Sequence, residues 1–250
     1  MFDLTGRTAL VTGAATGLGQ AIAVALTRSG AHVAISNRSD LSLDETATLC
    51  AEAGETPMPL TIDVRDLAQI AAGVAAVEAR LGHIDILVNN AGINRPQPGL
   101  EVDVENWDDH FNTNVRGGFF CAQAVAPKMI ERRFGRVVFI SSQSGLIGIP
   151  GQPVYCASKG AIINLVRTLG VEWATYGITV NSVAPTFVET NLTRARLEQP
   201  EFRAFVLGKI PRGELATPED IGHAVVYLAS DEAGMVNCAT LPVDGGWTAW

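Results

Sequence analysis

Directly after a first apolar run comes the stretch Thr12-Gly13-Ala14-Ala15-Thr16-Gly17-Leu18-Gly19, which leads into a segment of helical periodicity. Glycines let a backbone turn tightly and approach a ligand, and the free N–H groups of a helix N-terminus favour a phosphate. The spacing is G-x-x-x-G-x-G, not the commoner dinucleotide fingerprint G-x-G-x-x-G. A plain glycine-rich turn is the alternative, but the position after a first strand favours a pyrophosphate-binding loop. The predicted cofactor contacts in this loop are Gly13, Thr16, Gly17, Leu18 and Gly19.

The alternation of apolar runs and helical segments continues along the whole chain. The strand-like runs are Thr8–Thr12, His32–Ser36, Pro57–Ile62, Ile84–Val88, Arg136–Ser141, Thr179–Ala184 and Thr240–Val243. The segments of helical periodicity are Leu18–Ser29, Leu43–Ala53, Leu67–Leu81, a long stretch around Trp107–Arg132, Val154–Tyr176 and Pro218–Ser230. This alternation gives a parallel sheet with helices on both faces. Because no linker or repeat divides the chain, we expect an α/β fold: a single doubly wound Rossmann-type domain over residues 1–250, with about seven strands.

Local signals support several of these element boundaries. Asp66 is a predicted N-cap, and Thr217-Pro218-Glu219-Asp220 combines an N-cap with a first-turn proline and acids. Because proline cannot donate to a strand ladder, Pro242 predicts that the last strand is an edge or is locally bulged. Glycines follow the predicted helix ends at Gly30, Gly54, Gly82 and Gly177.

Composition excludes several classes of function. The 250 residues carry a formal net charge of −8, which disfavours nucleic acid as a partner. No apolar run is long enough for a membrane helix, and the first residues lack the pattern of a secretory signal. The cysteines at 50, 121, 156 and 238 form no C-x-x-C motif, and the histidines are equally scattered. We therefore expect no metal site, no membrane partner and a cytoplasmic location.

Ligands of doubly wound sheets bind beyond the carboxyl ends of the strands. An acid after the second strand would bind the adenosine ribose and repel a 2′-phosphate, whereas this chain has Asn37 and Arg38 there. NADP is therefore favoured over NAD, and the alternative, a solvated Arg38, leaves NAD open. Asp63 and Val64 are predicted to contact the adenine. After the fourth strand, small and amide residues let the cofactor lie close to the backbone at Asn90, Ala91 and Gly92.

A proton-transfer group is predicted in Tyr155-Cys156-Ala157-Ser158-Lys159. Tyr155 and Lys159 are four residues apart, and so lie on the same face of a helix. A nearby cation favours the phenolate and lowers the pKa of the tyrosine, so that the pair can exchange protons near neutral pH. The alternative is an ordinary helix with an exposed lysine. Ser142, at the end of the fifth strand, can hold a substrate oxygen, and Asn114 lies in a helical segment where asparagine is uncommon.

Together these motifs resemble the short-chain dehydrogenase/reductase family. The resemblance covers nearly the whole chain and extends to Val243-Asp244-Gly245-Gly246. It implies a catalytic tetrad of Asn114, Ser142, Tyr155 and Lys159. Tyr155 would be the general acid and base, Ser142 would orient the reacting oxygen, Lys159 would also bind the nicotinamide ribose, and Asn114 would support a relay water.

The resemblance also implies how the chain binds the nicotinamide end of the cofactor. The residues expected there are Pro185, Thr186, Val188 and Thr190. Two positions depart from the family pattern, because Thr186 and Cys238 stand where glycine is usual.

The substrate is expected to contact the loops Ile93–Leu100, Gln143–Gln152 and Thr186–Arg212. These loops offer Asn94, Arg95, Gln143, Gln152, Thr186, Glu189 and Asn191. From them and the tetrad, we predict substrate contacts at Asn94, Ser142, Gln143, Gln152, Tyr155 and Glu189. Amides and hydroxyls suit a small polyhydroxylated substrate, although such residues commonly face water.

Several segments resemble sugar-acid and polyol members of the family, such as gluconate and 2-deoxy-gluconate dehydrogenases. Similar strings occur in 3-oxoacyl-carrier-protein reductases, which remain the alternative. A non-catalytic dinucleotide-binding sensor or scaffold is the alternative of another class. The resemblance further implies a homotetramer, with subunits pairing through the helices around Asn106–Arg132 and Val154–Tyr176.

Overall fold

Seven strands, all within the residues that the computed structural model describes (2–38, 40–190 and 193–249), form one parallel sheet. They are β1 (Thr8–Thr12), β2 (His32–Asn37), β3 (Met58–Thr61), β4 (Ile86–Asn89), β5 (Gly135–Ile140), β6 (Ile178–Pro185) and β7 (Thr240–Val243). Their order across the sheet is β3-β2-β1-β4-β5-β6-β7. The chain reverses direction across the sheet between β1 and β4, where a crevice opens beyond the carboxyl ends. The predicted doubly wound α/β fold is thus confirmed.

Helices cover both faces of this sheet. They are α1 (Gly17–Arg28), α2 (Asp44–Ala53), α3 (Leu67–Leu81), α4 (Val104–His110), α5 (Gly118–Arg132), α6 (Pro153–Trp173), α7 (Arg194–Leu197), α8 (Pro200–Lys209) and α9 (Pro218–Ala229). On one face, Ile22 of α1 and Val225 of α9 lie in the same buried cluster as Val11. On the other, Val77 of α3 is buried in a cluster with Leu10. Val11 and Leu10 are neighbours in β1 and lie in different clusters, so helices cover the sheet on both faces. A ligand therefore reaches the sheet at the ends of its strands.

Two predicted helix starts are confirmed by their hydrogen bonds. The Asp66 carboxylate accepts from the backbone N–H groups of Ala68 at 2.9 Å and Gln69 at 3.3 Å. Thr217 and Asp220 form a reciprocal capping box at the start of α9. Pro242 lies in β7, an edge strand, as its missing N–H predicted.

The structure corrects two predictions about helices. The segment around Trp107–Arg132 starts earlier, at Val104, and its middle turn, Phe111–Gly117, is a π-helix. The segment Thr186–Arg212, predicted as a loop, contains α7 and α8. These short helices lie beside a small aromatic cluster in which Phe187 stacks on Trp247 at a ring separation of 5.7 Å. The aromatic contacts come from distant parts of the sequence, so the local pattern did not reveal them.

Among the described residues, no helix combines the length and the apolar character needed to cross a bilayer. Three non-glycine residues in the described part of the chain have positive φ: Phe2, Arg133 and Cys238. Cys238 adopts φ 61°, in the left-handed region that favours glycine, at a position where the sequence departs from the family's usual glycine.

Candidate functional site

A cleft of about 440 Å³ runs along the carboxyl edge of the sheet, from the glycine loop to the side chain of Tyr155. It crosses the point where the strand order reverses. The predicted cofactor residues that line it are Gly13, Thr16, Gly17, Leu18, Asn37, Arg38, Asp63, Val64, Asn90, Ala91, Gly92, Tyr155, Lys159, Pro185, Thr186, Val188 and Thr190. The strand-end positions therefore converge on one site.

The glycine loop is fixed to the loop that follows β4. The side-chain amide of Asn90 donates to the carbonyl oxygens of Thr12 at 3.0 Å and Gly13 at 2.9 Å. In return, the Thr12 hydroxyl accepts from the backbone N–H groups of Asn90 at 3.1 Å and Ala91 at 3.2 Å. Gly13 has φ 65°, and a Cβ there would lie 2.7 Å from the Cα of Ala91. Only glycine fits this close approach.

Gly17 begins α1 with φ 60°, which turns the first N–H groups of the helix toward the cleft. Gly19, predicted as a cofactor contact, is not among the residues that line the cleft. A Cβ at Gly19 would lie 2.2 Å from the carbonyl oxygen of Gly13. This close packing beneath the loop explains why residue 19 is glycine. It is a different role from the predicted cofactor contact.

The opposite end of the cleft carries two ion pairs. Arg38 contacts Asp40 at 2.9 Å, with both side chains about half exposed. Arg65, which the sequence analysis missed, contacts Asp63 through Nη2 at 2.6 Å and through Nε at 3.0 Å. The hydrogen bonds from Arg65 lower the pKa of the Asp63 carboxyl. Arg65 could have been found from its position, two residues after Asp63 at the end of β3.

The groups predicted to transfer a proton meet at the other end. The Lys159 ammonium donates to the carbonyl oxygen of Ile140 at 2.8 Å and lies 5.6 Å from the centre of the Tyr155 ring. Burial lowers the pKa of Lys159 to about 8. Burial also raises the pKa of Tyr155 to about 12, and a hydrogen bond with the Ser142 hydroxyl acts in the opposite direction. At neutral pH the phenol therefore keeps its proton.

That Lys159 lowers the pKa of Tyr155 stays a prediction, because Lys159 is not among the groups that shift this pKa here. The lysine is on the expected face of α6, but its hydrogen bond goes to the backbone of Ile140, not to the phenol oxygen. Removing the phenol from water raises its pKa, because burial disfavours the charged phenolate.

Asn114 lies in the π-helical turn and does not line the cleft. Its side-chain oxygen accepts from the Ile93 N–H at 2.8 Å, and its amide donates to the Ile93 carbonyl at 3.0 Å and to the Ser158 hydroxyl at 3.1 Å. A Cβ at Gly92 would lie 3.2 Å from the Asn114 side-chain oxygen and 3.5 Å from the Lys159 ammonium. Asn114 thus holds the loop after β4 against α6, directly behind the proton-transfer end.

The structure places three of the predicted substrate contacts outside the main cleft. Asn94 lines the cleft, but Gln143 and Gln152 are buried outside it, and the Gln152 side-chain oxygen accepts from the Asn94 amide at 3.0 Å. Glu189 lines a separate cleft of about 430 Å³ beside α1 and contacts Arg203 at 3.5 Å. Asn191 lies outside the described residues.

Thr186 lines the cleft, and its buried hydroxyl oxygen has no hydrogen-bond partner among the residues that the structure describes. Other lining residues that the sequence analysis did not assign include Leu41, Ile62, Ile93, Thr113 and Thr193. No motif marks them, since they join the cleft only through the fold. In the part of the chain that the structure describes, no group of three or more His, Cys, Asp or Glu residues could hold a metal ion.

Comparison with known proteins finds similarity along the chain. The family model described as Enoyl-(Acyl carrier protein) reductase matches residues 13–248. A gluconate 5-dehydrogenase of Gluconobacter oxydans (strain 621H) is 38% identical over 99% of this chain and 97% of its own length. A 3-oxoacyl-[acyl-carrier-protein] reductase of Rickettsia conorii (strain ATCC VR-613 / Malish 7) is also 38% identical, over 98% of both chains.

A solved structure extends the similarity to three dimensions. It is a gluconate 5-dehydrogenase from Burkholderia cenocepacia J2315, described in complex with NADP and tartrate. The two chains are 36% identical, with a TM-score of 0.94 over 100% of this chain and 98% of that one. The similarity therefore includes both the glycine loop and the Tyr155–Lys159 end of the cleft.

Proposed function

This chain belongs to the short-chain dehydrogenase/reductase family, and from that membership we propose that it is an NAD(P)-dependent oxidoreductase acting on a secondary alcohol or ketone. The observation that carries the proposal is the single cleft that joins the glycine loop to Tyr155, Lys159 and Ser142. One end is built for a pyrophosphate, and the other holds a protonated phenol beside a polar pocket.

The residues present fit a dinucleotide. Gly13 and Gly17 have positive φ and line the cleft, and a Cβ at Gly92 would lie 3.5 Å from the Lys159 ammonium, so glycine keeps this wall clear. When bound, the nicotinamide supplies or accepts the hydride.

The chain supplies orientation and the proton. Tyr155 donates its phenolic proton to the substrate oxygen during reduction, since the phenol is neutral at physiological pH. Ser142, which lines the same end of the cleft, orients that oxygen. Lys159 provides positive charge beside the phenolate that forms and would contact the nicotinamide ribose when the cofactor is bound. Asn114 positions Lys159 through the loop after β4 and supports the relay water that returns a proton.

NADP is the proposed preferred cofactor, because Arg38 lines the adenosine end where an acid would repel a 2′-phosphate. Asp63 and Val64 would flank the adenine. Pro185, Val188 and Thr190 would surround the nicotinamide. NADP in the related Burkholderia structure supports this preference without deciding against NAD.

The proposed substrate is a small polyhydroxylated molecule, a sugar acid or polyol. Asn94, Ser142 and Tyr155 present amide and hydroxyl groups at the proton-transfer end. The relatives that are gluconate 5-dehydrogenases, one of them with bound tartrate, support this class. A 3-oxoacyl-carrier-protein reductase activity is the second candidate, because a relative of that kind is equally identical.

A panel of aldonates, polyols and acetoacetyl thioesters, followed through nicotinamide absorbance at about 340 nm, tests these assignments. We expect an aldonate or a polyol to have the highest kcat/KM of the compounds in the panel. Preferential turnover of the thioester would replace the first assignment by the second. Tight nucleotide binding without turnover of any panel member would favour a dinucleotide sensor.

We also propose a cytoplasmic homotetramer that pairs through α4, α5 and α6. Val104 and Trp107 of α4 and Val171 of α6 expose large apolar side chains, which would be covered in such an assembly. The absence of a C-x-x-C motif among the four cysteines is the sequence feature that favours a reducing compartment. Light scattering at micromolar concentration tests the assembly, and a monomer would contradict it.

A further inference from the structure

The adenosine end of the cleft contains two guanidinium groups, and each already has a carboxylate partner. Arg38 contacts Asp40 at 2.9 Å, and Arg65 contacts Asp63 at 2.6 Å. The two pairs are close enough to interact, since Arg38 contributes to lowering the pKa of Asp63 and Asp40 to raising the pKa of Arg65. Arg65 also lies 4.0 Å from Asp109, which is itself paired with Arg95. The charges of these pairs sum to zero, so a 2′-phosphate meets no net positive charge from them.

The two pairs differ in strength. Arg65 donates three hydrogen bonds to Asp63, whose side chain is only 23% exposed. Arg38 makes one contact with Asp40, whose side chain is 52% exposed. A solvent-exposed ion pair of this kind contributes little to stability and opens readily. A forked arginine–carboxylate pair with several hydrogen bonds is held in place. Arg38 is therefore the cation that can turn to a ligand.

From this geometry we propose that Asp40 is a specificity-determining residue, which reduces the preference of the site for NADP over NAD. Asp40 competes with a 2′-phosphate for Arg38, and after the pair opens its negative charge still lies beside the phosphate. The uncharged 2′-hydroxyl of NAD suffers no such repulsion and can donate a hydrogen bond to a carboxylate. The inference rests on the proposed function, because it assumes that the cleft binds a nicotinamide dinucleotide.

The test is the dissociation constant of NADPH and of NADH, measured by nucleotide fluorescence on the full chain without substrate. Asp40→Asn removes the carboxylate charge and keeps the size of the side chain. We expect NADPH to bind about fivefold to tenfold more tightly and NADH to change by less than about threefold. The gain for NADPH should shrink as salt is added, because the charges are exposed.

Asp44→Asn is the matched control. It makes the same change in net charge at an exposed position in the first turn of α2, outside the two pairs. An equal gain for NADPH in both variants, or no gain in Asp40→Asn, would overturn the role of Asp40. If neither nucleotide binds the wild-type chain, the proposed function itself fails and the inference falls with it. If the wild-type chain binds both nucleotides and Asp40→Asn leaves both dissociation constants unchanged, this inference alone is refuted.

Discussion

The ammonium group of Lys159 lies 5.6 Å from the centre of the Tyr155 ring and donates its hydrogen bond to the backbone carbonyl of Ile140. The lysine is therefore hydrogen-bonded to the backbone of β5 and not to the phenol oxygen. Burial then sets the protonation state of both groups, with the phenol neutral and the ammonium group close to losing its charge in mildly alkaline solution.

Tyr155→Phe removes the proton that the mechanism needs and keeps the ring. We expect kcat to fall by about 10²- to 10⁴-fold, the usual contribution of a general acid, with the NADPH dissociation constant changed by less than about threefold. Tyr176→Phe, at a half-exposed tyrosine beyond the end of α6, is the matched control and should retain activity. Unchanged turnover in Tyr155→Phe would refute the proposed mechanism.

The buried Lys159 makes stability depend on pH. Its pKa in the folded chain is about 8, below the reference value of 10.5, so the unfolded chain binds more protons between these values. Stability contributed by this group must then rise with pH across that window. Relative to Lys159→Met, the wild-type free energy of unfolding should increase by about 2 kcal/mol between about pH 7 and about pH 9.5.

Urea titrations of the ligand-free wild type and Lys159→Met, at matched ionic strength, measure this difference. The variant serves as its own control, because it lacks only the titrating group. Tyr155, whose pKa lies near 12, loses its proton above the measured range. A difference between the two chains that stays constant with pH would contradict the burial of a charged lysine.

Cys238 occupies a left-handed backbone conformation at φ 61°. Cys238→Gly should remove the strain caused by the Cβ and stabilise the chain by about 0.5–1 kcal/mol, less than the full cost because the unfolded glycine is more flexible. Cys238→Ala keeps the Cβ and removes the thiol, so it should give no gain. Thermal unfolding of both variants measures the effect, and a more stable alanine variant would point to the thiol instead of the backbone.

Gly13→Ala should abolish tight dinucleotide binding and destabilise the chain by about 1–3 kcal/mol. The added Cβ would lie 2.7 Å from the Cα of Ala91, and φ at Gly13 is positive. Gly148→Ala is the matched control, since nothing lies within 4 Å of its Cβ position. Titration with NADPH and thermal unfolding test the pair. Wild-type affinity in Gly13→Ala would show that the loop does not closely approach the ligand.

Much of this architecture follows from local sequence. The apolar runs predicted each strand, and the central strands β1, β4, β5 and β6 are fully buried, as continuous apolar residues require. The positions after them led to the cleft, since parallel strands end at a common edge. Interactions between distant residues were harder to foresee. The helix α8 depends on Phe202 and Phe205 packing near Trp247, about forty residues later, which no local pattern encodes.

In the candidate site, too, some features could be predicted from local sequence and others depend on contacts between distant residues. The type and spacing of Tyr155 and Lys159 were readable, but the protonation state of the pair depends on burial, which spacing does not reveal. Gln152 and Glu189 were predicted to contact the substrate because they lie in loops that were expected to reach it. In the structure, Gln152 bonds with Asn94 and Glu189 lines the cleft beside α1. Side-chain direction in long loops is set by tertiary contacts, so sequence position alone could not give it.

The reciprocal hydrogen bonds between Thr12 and Asn90 have a thermodynamic consequence for ligand capture. They hold the glycine loop in shape before any nucleotide arrives, so the conformational entropy of that loop is lost during folding and not during association. Encounter with a dinucleotide then requires little rearrangement of this wall. Weakening the hydrogen bonds of Asn90 should slow dinucleotide association and also shorten the residence time of the bound dinucleotide. The sheet itself should stay intact.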